Sequence, residues 1–164
     1  VLLKGAKSYD EAIKSFNEVI AINASYGPVY RELAETYYKW GRNKPSKSAE
    51  YMQLAFTNYE KYMNLTDRSI HSRMRRADFL VLLKDYKALE EEANKMIEMD
   101  KVNPRIFRYL GYSAYENGNA DLAIKSLESY ISNPNNKIIA KTTNFIIQFI
   151  VNNVSAKVYV KFSI

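Results

Sequence analysis

A helical hairpin over residues 103–135 recurs along the chain, and this recurrence limits the folds open to it. Pro104 suits the start of a helix, because its missing amide hydrogen would be unpaired there in any case. Gly118 suits a left-handed helix end. Gly111 lies in mid-helix, where glycine costs about 1 kcal/mol relative to alanine, so it predicts a close crossing by the next helix. The segment is therefore predicted to be two helices packed against each other.

Small residues recur at the crossing positions. In the first helix of each hairpin, Ala34, Ala77 and Gly111 are separated by 43 and 34 residues. The corresponding second-helix sites are Ala12, Ala55 and Ala123, with the larger Leu89 at the same position in one hairpin. Apolar residues follow four positions later (Phe16, Tyr59, Ala93 and Leu127) and seven positions later (Val19, Tyr62, Met96 and Tyr130). This is helical spacing, and since one hairpin cannot bury such a face alone, neighbouring hairpins must stack.

The one 43-residue interval indicates an insertion of nine residues before Ala55. Ser46 is a suitable N-cap for one long helix over residues 47–64. Tyr51 and Met52 would lie on the extended part of that helix. We expect them to fill space at its end, with contact to a partner as the alternative interpretation.

These residues resemble the tetratricopeptide repeat (TPR) family, whose 34-residue units follow the pattern W-x2-L-G-x2-Y, then A-x3-F, then P. The matching residues are Ala12, Phe16, Tyr30, Leu33, Ala34, Tyr37, Ala55, Tyr59, Phe107, Leu110, Gly111, Ala123 and Leu127. The unit at 70–103 departs from the pattern, because Arg73 and Arg76 occupy its two apolar sites and Lys84 replaces the turn glycine. The resemblance implies an all-α fold, a right-handed α-solenoid of stacked helical hairpins.

Residues 1–137 are predicted to form one repeat domain. It would consist of a partial unit, whose first helix is mostly missing, and three further units, at 1–26, 27–69, 70–103 and 104–137. Residues 138–164 break the pattern, since they are rich in apolar side chains and contain no Gly, Pro, Asp or Glu. Three interpretations of this tail stay open: a cap, an oligomer contact through which the chain self-associates, or a non-native end.

Charge and composition exclude several classes of protein. The net charge is +6, but Lys141, Lys157 and Lys161 lie in the tail, so the rest is nearly balanced and argues against a dedicated nucleic-acid surface. The absence of cysteine excludes disulfides and thiolate metal sites. No apolar run is long enough to span a membrane, and no signal peptide is visible at Val1. Because there is no cysteine, reducing and oxidising compartments both stay open, so cytoplasm and bacterial periplasm are both compatible.

The sequence offers few groups for catalysis. His71 is the only histidine, and the surrounding Arg73, Arg75 and Arg76 supply no orienting carboxylate. The acids at 90–92 occupy successive helix positions and would point in different directions. The five glycines are scattered, so there is no phosphate-binding loop. We therefore expect a non-catalytic protein without cofactor or metal.

The family resemblance implies a concave groove that is lined by the first helices and binds an extended peptide or a partner helix. The positions carried over to this chain are Arg31, Glu35 and Tyr38 in one unit, Arg75 and Asp78 in the next, and Arg105, Arg108, Tyr109 and Tyr112 in the third. Tyr and Arg are enriched at interface hot spots. Tyr109 and Tyr112 could equally serve to pack the hairpins.

The predicted function is a protein-protein interaction scaffold with a protein or peptide partner. The groove arginines would form a basic ladder that prefers acidic ligands, with Arg75 and Arg108 the most sensitive pair. The competing expectation is that these arginines merely pair with Glu35, Asp78 and Glu116. The alternative functions are a nucleic-acid-binding helical repeat protein and an accessory domain of a larger enzyme.

Overall fold

The computed structural model describes residues 8–66 and 68–134, and within these ranges it contains helices and no strand. The α-helices are α1 (Tyr9–Ile22), α2 (Gly27–Asn43), α3 (Ser48–Leu65), α4 (Ile70–Leu83), α5 (Tyr86–Met99), α6 (Pro104–Glu116) and α7 (Ala120–Ser132). A short 3-10 turn at Pro45–Lys47 separates α2 from α3. The predicted tail at 138–164 and the first residues of the partial unit lie outside the described residues.

The described residues belong to two compact units, which are divided between Lys84 and Asp85. Unit 1 contains α1 to α4, and each helix packs on the next one in the chain. Unit 2 contains α5 to α7, with α5 packed on α6 and α6 on α7. Packing between sequential helices is the arrangement that the repeated hairpin predicts.

Small residues let α2 and α3 pack closely in unit 1. Ala34 and Ala55 are both fully buried, in one cluster with Tyr59, Met63 and Phe79. The other predicted crossing residues are also buried in their own units: Ala12, Ala77, Leu89, Gly111 and Ala123. The 34- and 43-residue spacing therefore identified the crossing positions correctly, whereas Val19, seven positions after Ala12, is 37% exposed.

The insertion is shared between two helices, which differs from the prediction of one long helix from residue 47. The helix α2 continues to Asn43, and α3 begins only at Ser48. Between them, the amide of Lys47 donates to the carbonyl oxygen of Lys44 across 3.0 Å and closes the 3-10 turn. Ser46 is therefore not the N-cap. The fixed backbone of Pro45 explains why the chain turns here before α3 begins.

Aromatic side chains fill the space that the insertion creates. The ring of Trp40 stacks on Tyr51, with centroids 4.3 Å apart, and on Tyr9, with centroids 5.6 Å apart. Tyr51 is 5% exposed and Met52 is 7% exposed. Gly41 lies under them, since a Cβ atom there would be 3.1 Å from Tyr51 Cβ and Met52 Cε. These two residues therefore pack within unit 1, as the space-filling interpretation predicts.

The close crossing predicted at Gly111 is confirmed in unit 2. A Cβ atom on Gly111 would lie 2.6 Å from Leu127 Cγ and 2.7 Å from its Cδ2, closer than real contacts allow. Leu127 and Tyr130 are buried together, with Phe107 and Ile124 packed around them. The helix α7 thus lies directly over the glycine.

Substituting Gly111 by alanine should destabilise the protein. Overpacking costs about 1–3 kcal/mol, which exceeds the gain in helix propensity of about 1 kcal/mol. Because the nearest atoms belong to the Leu127 side chain, Gly111→Ala should cost less in a Leu127→Ala background. Urea unfolding of the two single variants and the double variant measures this coupling. Equal costs in both backgrounds would contradict the close crossing.

Two helix ends show why the turns occur where they do. Gly118 follows α6 with φ +82°, in the left-handed region that glycine adopts without cost. Lys84 ends α4 with φ 58°, and its amide bonds back to the carbonyl oxygens of Leu80 and Val81. Lys84 therefore occupies the turn-glycine position, as the register predicts, although a side chain disfavours this backbone conformation.

Lys84→Gly should stabilise unit 1 by about 0.5–1 kcal/mol, since the left-handed strain of a side-chain-bearing residue is only partly offset by the extra freedom of glycine in the unfolded chain. The matched control is Gly118→Ala, which imposes that strain on the other turn and should destabilise. Urea unfolding monitored by circular dichroism compares both variants with the parent chain. A destabilising Lys84→Gly would show that the turn owes its conformation to contacts of the lysine side chain.

Candidate binding surface

Four of the predicted groove residues come together in unit 1, where they join α2 to α4. Arg75 on α4 donates from Nε to Glu35 Oε1 across 2.9 Å and from Nη2 to Glu35 Oε2 across 3.0 Å. The two parallel hydrogen bonds are the bidentate geometry that favours arginine over lysine. Asp78 is a second carboxylate, 3.9 Å from Arg75 Nη1. We call Glu35, Tyr38, Arg75 and Asp78 the α2–α4 surface.

Aromatic rings hold the Arg75 guanidinium in place. Its central carbon lies 4.7 Å from the centroid of the Tyr38 ring and 4.7 Å from that of Phe79. Tyr38 and Phe79 also meet edge to face, with centroids 6.0 Å apart. The side chains of Arg75 and Glu35 are each 26% exposed, so the pair is partly shielded from water. Stacking and pairing together fix one orientation of this side chain.

The charges of the α2–α4 surface do not form the predicted basic ladder. Arg75 faces two carboxylates, so this cluster has a net charge of −1, and the competing expectation of local pairing fits Arg75. Arg31 is exposed and does not join the cluster. It lies 3.7 Å from Glu32 and places its guanidinium 5.8 Å from the ring of Tyr62 on α3. In unit 1, Arg31 and Arg75 therefore each contact nearby carboxylates and rings, and they are not aligned with one another from helix to helix.

In unit 2 the structure places two predicted residues around a third, Tyr109. Arg105 Nη2 donates to the Tyr109 hydroxyl across 3.1 Å, and the guanidinium of Arg108 lies 5.4 Å from the Tyr109 ring. Tyr109 itself is 3% exposed. Tyr109 is therefore a packing residue, because its ring fills the interior of unit 2. Arg105 is exposed and Arg108 is half-buried.

Tyr112 is tied to the preceding helix. Its ring meets Tyr86 of α5 edge to face, with centroids 5.4 Å apart, and the two hydroxyl oxygens are 3.4 Å apart. The hydrogen bond to Tyr86, followed by partial burial, raises the pKa of Tyr112 to about 12. The raised pKa reflects this contact with Tyr86, which ties Tyr112 to α5. We call Arg105, Arg108 and Tyr112 the α6 surface.

Asn117 makes a further contact that could not be expected from the sequence, since nothing in the repeat spacing singles this residue out. Its Nδ2 donates to the backbone oxygen of Tyr86 across 3.2 Å and to Glu90 Oε2 across 2.7 Å. The contact fixes the α6–α7 turn against the start of α5. Beside it is an open cleft of about 560 Å³, lined by Lys87, Glu90, Glu91, Asn94, Asn117 and Asn119.

The described residues provide no metal centre. Within 8–66 and 68–134, no three His, Cys, Asp or Glu side chains are close enough to hold an ion. His71 is exposed on α4. Glu92 is buried whereas Glu91 is exposed, so these two acids point in different directions. No helix in the described part of the chain is long and apolar enough to cross a bilayer.

The fold is similar to several solved helical structures. No protein-family model matches the chain, and no curated protein matches it. A crystal structure of MamA aligns over 99% of this chain and 95% of that chain, with a TM-score of 0.64 and 15% identity. A thermophilic TPR protein of Thermus thermophilus aligns over 94% of this chain and 76% of that chain, with a TM-score of 0.56 and 13% identity.

PcrH from Pseudomonas aeruginosa is also similar, with a TM-score of 0.54 and 15% identity over 76% of this chain and 92% of that chain. At these identities the likeness concerns the fold. The fold class is an all-α helical repeat of the TPR type, which confirms the fold that the sequence resemblance implies.

The bidentate pair between Arg75 and Glu35 should contribute to the stability of unit 1. Arg75→Ala removes the hydrogen bonds and both ring contacts, so it should cost about 1–3 kcal/mol. Glu35→Gln keeps the shape of the side chain and should cost less. A double-mutant cycle by urea unfolding should give a coupling energy of about 1 kcal/mol. A coupling energy near zero would show that the pair orients the two side chains without adding to the free energy of unfolding.

Proposed function

We propose that this chain is a protein-binding scaffold that recognises a peptide or a partner helix through the exposed faces of its first helices. The observation that carries the proposal is the ordered α2–α4 surface, in which two rings and a bidentate pair fix a half-exposed arginine. Side chains that are already held in one conformation lose little entropy when a ligand binds. Stacked hairpins commonly present binding surfaces of this kind.

The α2–α4 surface would contact a peptide through an aromatic ring and carboxylate oxygens. Tyr38 is half-buried, and its ring already packs against Arg75 and Phe79. Glu35 and Asp78 lie beside it as hydrogen-bond acceptors. Because these carboxylates neutralise Arg75, we expect this surface to take a neutral or donor-rich segment of the ligand. An acidic segment would need cations elsewhere in the chain.

The α6 surface of unit 2 is a separate candidate contact, with different chemistry. Arg105 and Arg108 bring two positive charges beside Tyr109. Tyr112 adds a half-buried phenol, whose hydroxyl oxygen lies 3.4 Å from that of Tyr86. Guanidinium groups and a phenol are all hydrogen-bond donors, so this surface suits backbone carbonyl groups or carboxylates of a ligand.

The experiment is selection of binders from a random peptide library displayed on phage, with the full chain as bait. Tyr38→Ala and Arg108→Ala should each lower the affinity of the chain for the selected peptides by about tenfold, as expected for a contact worth about 1–2 kcal/mol. Lys125→Ala and Glu128→Ala are matched controls, because both side chains are exposed on the second helix α7. Circular dichroism confirms that all four variants fold.

Two results would contradict the proposal. One is the failure of selection to enrich any peptide. The other is a set of peptides whose affinity is unchanged by both Tyr38→Ala and Arg108→Ala, which would place binding on some other part of the chain.

A further inference from the structure

The positive charge of unit 1 concentrates where α2 ends. Four cations lie within nine residues there, and no acid occurs between residues 36 and 49. We call them the basic turn: Lys39, Arg42, Lys44 and Lys47, all of them exposed. Lys47 pairs with Glu50 across 3.5 Å. The other three have no carboxylate within 4 Å among the residues that the structure describes.

Aromatic rings contact two cations of the basic turn. The Arg42 guanidinium lies 5.8 Å from the centroid of the Tyr38 ring, and Lys47 Nζ lies 5.8 Å from that of Tyr51. The Tyr51 ring is in turn stacked on Trp40. Two of the four cations, Arg42 and Lys47, thus rest on packed rings, so a ligand would meet these two in a partly ordered arrangement.

A structural role explains only part of this charge. Cations near a helix C-terminus interact favourably with the helix dipole, which accounts for Arg42 in the last turn of α2. Lys44 and Lys47 lie beyond the end of the helix. They belong to the stretch that is inserted in this hairpin; the turns of the other helical hairpins are much shorter. The insertion therefore adds charge that folding of α2 does not require.

We propose that the basic turn binds an acidic segment of a protein partner, through carboxylate side chains of that segment. This inference rests on the proposed scaffold function and specifies where its acidic ligand would contact unit 1. Arg75 cannot take that role while Glu35 and Asp78 neutralise it. Lys39, Arg42 and Lys44 are the cations of the basic turn that a carboxylate can reach without displacing another carboxylate.

The surroundings of the basic turn favour a peptide over a nucleic acid. Binding of single strands relies on bases that stack on aromatic faces. Here Trp40 stacks with Tyr9 and with Tyr51, so the nearby rings already pack on one another. The charged stretch is also short, and nucleic-acid surfaces need a longer basic track to contact successive phosphates.

The test measures binding of a fluorescein-labelled oligoglutamate peptide to the full chain by anisotropy at low salt. The test variant is Lys39→Gln, Arg42→Gln and Lys44→Gln together. The matched control is Lys95→Gln, Lys101→Gln and Lys125→Gln, which removes the same charge from exposed sites in unit 2. The test variant should bind about tenfold more weakly, since each exposed contact contributes a factor of a few, and the control should change little. Added salt should weaken binding to the parent chain.

Three outcomes would overturn the inference. The first is no binding of oligoglutamate to the parent chain. The second is an equal loss in the test and control variants, which would show an effect of net charge alone. The third is tighter binding of an oligothymidylate that depends on the same three residues, which would favour nucleic acid. In each of these cases, phage-selected peptides whose binding requires Tyr38 or Arg108 would still support the scaffold function. The two proposals can therefore fail separately.

Discussion

The close approach of paired helices is the constraint on which the rest of the structure depends. Where α6 meets α7, the space beside Gly111 is occupied by Leu127, and where α2 meets α3, Ala34 and Ala55 are fully buried. Small residues at these points let larger side chains interdigitate around them. A hairpin built this way still has an apolar face, so the next helix in the chain is needed to cover it.

Close packing also determines which polar groups are available for binding. Arg75 is drawn into unit 1 by two rings and two carboxylates, so a residue expected to attract ligands instead joins α2 to α4. The insertion has the opposite effect. It lengthens α2, adds a 3-10 turn and leaves Lys44 in solvent. The chain thus separates an ordered, nearly neutral surface from a set of solvated charges on long side chains.

The backbone plan could be predicted from the sequence because it rests on spacing and on turn chemistry. The recurrence of Ala34, Ala77 and Gly111 located the buried crossings, and Gly118 and Lys84 both occupy left-handed turns. Side-chain partners were less predictable: the sequence offered Glu35 and Asp78 as partners of the arginines, but it could not decide between this pairing and a ligand-binding role. Arginine has a long, flexible side chain, and helical spacing does not tell which carboxylate or ring it reaches. For Tyr109, helical spacing likewise does not tell whether the ring is buried or exposed.

The aromatic stack in unit 1 also makes the protein convenient to observe. Trp40 is the only tryptophan of the chain, and its ring contacts Tyr9 of α1 and Tyr51 of α3. Its fluorescence and near-ultraviolet dichroism therefore report on the joining of three helices at one point. Unit 2 contains tyrosines but no tryptophan. Selective excitation of Trp40 would thus let its emission report on the unfolding of unit 1, within the intact chain and without an added label.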